Sequence, residues 1–179
     1  MALQYPDVQN QIFENLDMLL RVKLVESELA ITLKEVFVNN QNLCLKILPR
    51  QIHKIVSLAA EHQQKAPEFL DLLCAIVKVE GLGLALKRNQ TLVMKYIMQS
   101  YSSAAYILEQ PMETREAVLK EELGEDHVQY LISLIELLST CAEVILNNDL
   151  KEKPNNKCSG RKPLHRILMS NDFICGRHP

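Results

Sequence analysis

Apolar residues recur along the chain at helical rather than strand spacing, and each run stops at a break rich in Asn, Gly, Ser or Pro. The first run opens at Tyr5-Pro6-Asp7 and carries Val8, Ile12, Phe13, Leu16, Leu19 and Leu20 to about Val22, with polar residues opposite. A second takes Ser27 as its expected N-cap, turns Leu29, Ala30, Leu33, Val36 and Phe37 inward, and stops at Asn39-Asn40. Asn42 to Leu48 predicts a short helical turn. Pro49 then breaks the pattern, and Arg50 to His62 resumes it through Ile52, Ile55, Val56, Leu58 and Ala59.

The most apolar stretch lies between Lys65 and Met98. Pro67 suits a first helical turn, where its missing N–H leaves nothing unbonded, and Glu68 and Asp71 complement the positive end of the helix dipole. Phe69, Leu70, Leu72, Leu73, Ile76, Val77 and Val79 cover more than one face, so this helix needs neighbours on at least two sides. Gly81 and Gly83 are expected to end it, and Asn89 to cap a following helix that bears Leu92, Val93, Tyr96 and Ile97. Beyond a loosening at Ser100 to Ser103 and a short turn at Ala104 to Leu108, Pro111 opens a charged helix from Met112 to Leu123. It contains the i,i+4 pair Glu116 and Lys120 and closes at Gly124. The last strong helix spans about Asp126 to Asn147.

Six or seven helices joined by short breaks define an all-α chain, which a closed bundle and an open solenoid both fit. The pattern of Glu68-Phe69-Leu70 and Leu73 recurs as Gln129-Tyr130-Leu131 and Leu134, each in the most apolar helix of its neighbourhood. Two helices buried on more than one side favour an armadillo-like helical solenoid segment. The expected division is a helical domain over residues 1–150 and a basic, disordered C-terminal tail over 151–179.

Composition supports this reading. Aromatic residues make up 5% of the 179 residues, Trp is absent and there are five Gly, unlike a turn-rich β-sandwich or barrel. The formal charge is −2, from 20 Lys plus Arg against 22 Asp plus Glu, so no global field attracts nucleic acid or anionic lipid. Basic residues concentrate from Lys151 onward. Five cysteines without a CxxC, no signal peptide and no apolar run of about 18 residues predict a soluble cytosolic chain with reduced thiols.

Candidate chemistry is sparse. Gly81-Leu-Gly83 follows a helix and lacks the strand and third glycine of a nucleotide fingerprint, so it reads as a helix stop. His53, His62 and His127 are isolated in sequence, and the carboxylates Glu113, Glu116, Glu121, Glu122, Glu125 and Asp126 read as a solvated face. Cys158, His165, Cys175 and His178 offer zinc-type ligands, but only Cys175 and His178 are close in sequence, which is a poor metal spacing. No catalytic residue, cofactor or metal is expected. A small basic group beside the glycine break, Lys87, Arg88 and Lys95, is the candidate partner contact.

An ordered set of segments carries a family resemblance. It comprises Val36-Phe37-Val38-Asn39-Asn40-Gln41-Asn42-Leu43-Cys44, Phe69-Leu70 through Ile76-Val77-Lys78-Val79-Glu80-Gly81, Arg88-Asn89-Gln90 with Val93-Met94, and Tyr130-Leu131 through Ile135-Glu136-Leu137-Leu138 with Cys141-Ala142-Glu143. This set resembles the helical homology region shared by inositol trisphosphate and ryanodine receptors, and is closer to the inositol trisphosphate receptor branch. The resemblance implies a cytosolic, non-catalytic, armadillo-like layer of a tetrameric calcium-release channel of the endoplasmic reticulum, in contact with other helical layers. Pore helices and selectivity filter would lie elsewhere in such a polypeptide. It ends at Glu143, which an alternative C-terminal end, a truncated product or an error in the gene model would each explain. A free-standing armadillo or HEAT-like adaptor and a small helical enzyme or metal protein using the late Cys and His residues are the competing readings.

Overall fold

A computed structural model of the chain describes residues 5–22, 26–120, 122 and 124–149. In chain order the helices are α1 (Pro6–Glu14), α2 (Leu16–Leu19), α3 (Glu26–Phe37), α4 (Gln41–Lys46), α5 (Pro49–His62) and α6 (Glu68–Val77). After a small antiparallel pair, β1 (Lys78–Val79) and β2 (Leu84–Ala85), come α7 (Lys87–Gln99), α8 (Tyr101–Ala104), α9 (Tyr106–Glu109), α10 (Met112–Leu119) and α11 (Glu125–Asp149). Among the described residues the chain is all-α apart from that pair. Eleven α-helices stand among the described residues where the spacing predicts six or seven. The extra ones arise because Asn15, Ser100 and Ala105 adopt φ near −95° to −113° with ψ of 8° to 27°, which interrupts the ladder inside longer apolar runs.

Several boundaries differ from the sequence reading for local reasons. Helix α6 ends at Val77, before the glycines, because Lys78 is extended (φ −142°, ψ 131°) and pairs with Ala85 while Val79 pairs with Leu84. Gly81 and Gly83 therefore sit in a hairpin, and Gly83 takes the left-handed φ of 58° that glycine tolerates. Two-residue strands are too short to show a period of two. Asn89 does not cap α7: the helix starts at Lys87, so Asn89 lies in its first turn with its side chain turned inward. Ser27 likewise falls inside α3, and its hydroxyl donates to the Lys65 carbonyl at 3.3 Å. Pro49 begins α5 rather than interrupting it, and the Gln51 side chain accepts the Leu48 N–H at 2.9 Å. The expected stop at Asn147-Asn148-Asp149 is itself helical, as the last residues of α11. The Asn39-Asn40 stop holds: Asn39 has φ 55° and Asn40 caps α4 by accepting the Leu43 N–H at 3.2 Å. So does the Glu116 and Lys120 pair, at 3.9 Å. The tail over 151–179 lies outside the described residues.

The helices stack in two rows. Helices α3, α6 and α11 lie side by side in one, and α5 and α7 in the other, with α1 extending the first row beyond α3. Neighbours within a row run parallel: Lys34 meets Asp71 at 3.6 Å, and further along both chains Asn39 meets Gly81 at 2.7 Å. In the second row Ile47, just ahead of α5, meets Arg88, and His53 meets Tyr96. Parallel equivalents joined through antiparallel partners are the construction of a helical solenoid, in which each pair contacts its neighbours. Helix α6 touches α3, α5, α7 and α11, and seven of its ten residues are buried, as its two-sided apolar pattern requires.

Candidate functional site

The polar side chains that lock the stack gather at the edge where α3, α4 and α6 end and α7 begins. A helix leaves its last carbonyls without intrahelical partners, and α7 supplies donors to them. Asn89, fully buried, donates through Nδ2 to the Cys44 carbonyl at 2.7 Å and to the Ile76 carbonyl at 3.0 Å. Arg88 Nη1 donates to the Ile47 carbonyl at 3.0 Å and to Asn89 Oδ1 at 3.1 Å, which holds the amide in that orientation. Gln90 Nε2 donates to the Thr140 carbonyl of α11 at 2.9 Å. Three consecutive residues thus tie α4, α6 and α11 to α7. The Gly81 N–H donates to Asn39 Oδ1, and a Cβ at Gly81 would lie 2.8 Å from that oxygen, so the close approach depends on glycine.

Of the predicted partner contacts, Lys87 and Lys95 share an exposed ridge of α7, two turns apart. Arg88 is exposed as a residue, yet its guanidinium is committed to the Ile47 carbonyl. Lys95 Nζ stands 5.6 Å from the centre of the Tyr96 ring, and that ring meets His53 of α5 edge-on at 4.8 Å. The surface accordingly extends across the seam to exposed His53 on α5 and exposed Lys46 at the end of α4, while Arg50 turns to Asp17 of α2 and half-buried Lys54 borders Leu20 and Leu29 on another side of α5. Sequence reading missed these four because they lie far from α7 along the chain. The excess of Lys and Arg over Asp and Glu between residues 41 and 62 was the available signal.

Nothing comparable organises chemistry elsewhere among the described residues. A cleft of about 160 Å³ between α3, α6 and α11 is bordered by Lys34, Asp71, Cys74, Lys78, Glu80 and Glu136 in mixed charge. A second, of about 200 Å³, lies against Leu20, Leu29, Lys54, Leu58, His62 and Phe69. Burial pushes the thiols of Cys44, Cys74 and Cys141 up to about 12, so they stay protonated near neutrality. Glu113, Glu116, Glu122, Glu125 and Asp126 are exposed, while Glu121 lies outside the described residues, as do Cys158, His165, Cys175 and His178. No three described His, Cys, Asp or Glu residues are arranged to hold a metal ion.

A stack of helix pairs, locked by side chains that bond helix-end carbonyls, defines a helical scaffold. The chain belongs to the RIH domain family: the model of that domain matches residues 1–109, more than half of its length. The RIH domain is a non-catalytic domain of inositol trisphosphate and ryanodine receptor channels. The match takes in α1 and α2, which precede the resembling segments, and stops before α10 and α11. No solved structure matches the chain. No helix among the described residues is long and apolar enough to cross a membrane.

Proposed function

We propose that this chain is a cytosolic scaffold segment of an intracellular ligand-gated calcium-release channel, of the inositol trisphosphate receptor branch, and that it couples ligand binding to pore gating. The RIH match over residues 1–109 carries this reading. In it, the segment catalyses nothing and holds no pore. It passes movement between the layers on either side by rigid helix pairs shifting against one another, and its place is the cytosolic face of the endoplasmic reticulum. Lys87, Arg88 and Lys95 contact a neighbouring helical layer. Full-length members of this branch are tetramers, so four such segments would act around one pore.

The packing is suited to such a role. The Asn39–Gly81 and Asn89–Cys44 bonds cross from one pair to the next and Asn89–Ile76 joins α6 to α7 within a pair, so displacing α3 moves the hairpin through Asn39 and Gly81, and displacing α4 or α6 moves α7 through Asn89. The decisive experiment is the transcript sequence across codon 143. A reading frame that continues through a splice junction into further helical repeats and a pore is the expected result. A short closed gene with its own promoter would overturn the channel reading and leave a free-standing armadillo-like adaptor.

A further inference from the structure

The two rows of helices carry opposite charge. Helices α4, α5 and α7 contain six Lys or Arg against one carboxylate, Glu61, whereas the sequences of α3, α6 and α11 contain ten Asp or Glu against one Lys. A formal charge of −2 for the chain conceals this division. On the basic side Arg50 is neutralised by Asp17 at 2.7 Å and Arg88 is turned to the Ile47 carbonyl, but Lys46, Lys54, Lys87 and Lys95 form no ion pair with any described residue. The same surface is apolar in part: Leu45 and Leu48 are exposed at the end with Lys46 and Arg88, and Met98 at the other end of the α7 ridge. Between them lies the His53 and Tyr96 contact, with Lys95 beside it.

We propose that the seam of α5 and α7, with the end of α4, is a docking surface for an acidic, amphipathic polypeptide segment of a partner protein. The proposal rests on the reading of Lys87, Arg88 and Lys95 as a partner contact and names the chemistry of what they meet. Two parallel helices leave a shallow groove along their length. Lys87 and Lys95 on α7 and Lys46 at the end of α4 supply long-range attraction for carboxylates, while Leu45, Leu48, Tyr96 and Met98 supply apolar contact that a purely ionic ligand would not use. The charge ratio selects the sign of the partner, and the apolar residues select a polypeptide carrying Leu-type side chains over a bare polyanion.

The test uses the full chain and a fluorescent peptide of about 20 residues, Glu-rich with Leu at helical spacing. A polyglutamate of equal charge and vesicles containing phosphatidylserine serve as comparisons. The Glu/Leu peptide is expected to bind at least about ten-fold tighter than polyglutamate, and to weaken markedly between about 50 and about 200 mM salt. The double variant Lys46→Glu, Lys95→Glu, at exposed positions without ion pairs, should lose about ten-fold in affinity with an unchanged melting curve, while Lys120→Glu on α10 binds as wild type. Equal affinity for the two peptides, equal binding by the double variant, or vesicle binding without peptide binding would each overturn the proposal. So would self-association of the chain that the double variant abolishes, because a second copy would then occupy the seam. The assay needs no channel context. Loss of peptide binding removes this surface whatever the transcript shows, and a short closed transcript with peptide binding intact removes the channel and keeps the surface.

Discussion

Asn89 shows how one buried side chain can define an architecture. Its amide satisfies two carbonyls on two other helices in a fully buried site, so truncation removes both bonds and leaves both acceptors unpaired. Asn89→Ala should therefore cost about 3 kcal/mol, read as a lower urea midpoint with an unchanged slope. A loss below about 0.5 kcal/mol would mean the carbonyls find other donors. Gly81→Ala forces Asn39 to give way and breaks the 2.7 Å bond, for an expected loss of about 1 to 2 kcal/mol in the same measurement. The sequence singles out both residues, as a helix cap and a helix stop. Their actual partners are carbonyls and side chains of other helices, which no local propensity specifies. Backbone acceptors carry no signature in the side-chain pattern, so the role could be read only once the helices were side by side.

Among elements, α6 is the one whose surroundings were most legible. Apolar residues on more than one face demand several neighbours, and α3, α5, α7 and α11 are there. Leu73 is fully buried, and Leu73→Ala should lower stability by about 2 to 5 kcal/mol. Helix α11 resembles α6 in pattern but leaves part of its apolar surface open, with Ile132 and Ile135 each 52% exposed. Ile132→Ala should change stability by less than about 0.5 kcal/mol, and a loss in the core range would show that this face is covered. Composition could not separate these two helices because both are rich in Leu and Ile. What distinguishes them is position in the row: α6 has α3 on one side and α11 on the other, whereas α11 stands at the end of the row among the described residues. The hairpin of β1 and β2 was illegible for a different reason: a two-residue strand is stabilised by the helix ends it joins, here through the Leu86 N–H to the Val77 carbonyl at 2.8 Å, and has no periodicity of its own.

For the whole molecule, buried acidic groups set a limit on the alkaline side. An unfolded thiol releases its proton around 9, whereas Cys44, Cys74 and Cys141 hold theirs to about 12, and burial raises Tyr130 as well. Above about pH 9 the unfolded chain binds fewer protons than the folded one, so stability is fully present below that pH and falls as pH rises toward the folded values. The urea midpoint should drop between about pH 8 and about pH 10.5, and Cys44→Ala with Cys141→Ala should flatten the drop relative to the parent. A midpoint independent of pH would contradict it. The helical class and the apolar helical setting of the free thiols Cys44, Cys74 and Cys141 were readable from composition and spacing. The opposite charge of the two rows was not, because it emerges only when residues 41–62 and 87–99 are brought onto one side.

The ties between helix pairs are not alike at the two ends of the stack. At the α7 edge the Asn89 and Gln90 bonds are buried and the Gly81 to Asn39 bond is exposed, while at the far edge Ser27 to Lys65 and Gln63 to Ser103 are open to water, Tyr106 to Gln64 is half-buried and Tyr130 to Ala104 is sealed. Solvent competes with the open bonds and leaves the sealed ones alone. The pairs are bound as pages are bound along a spine, and bending would fan them apart at the α8 and α9 margin while the α7 edge keeps its register. Any partner that wedges into that margin gains leverage over the whole stack without having to break its core.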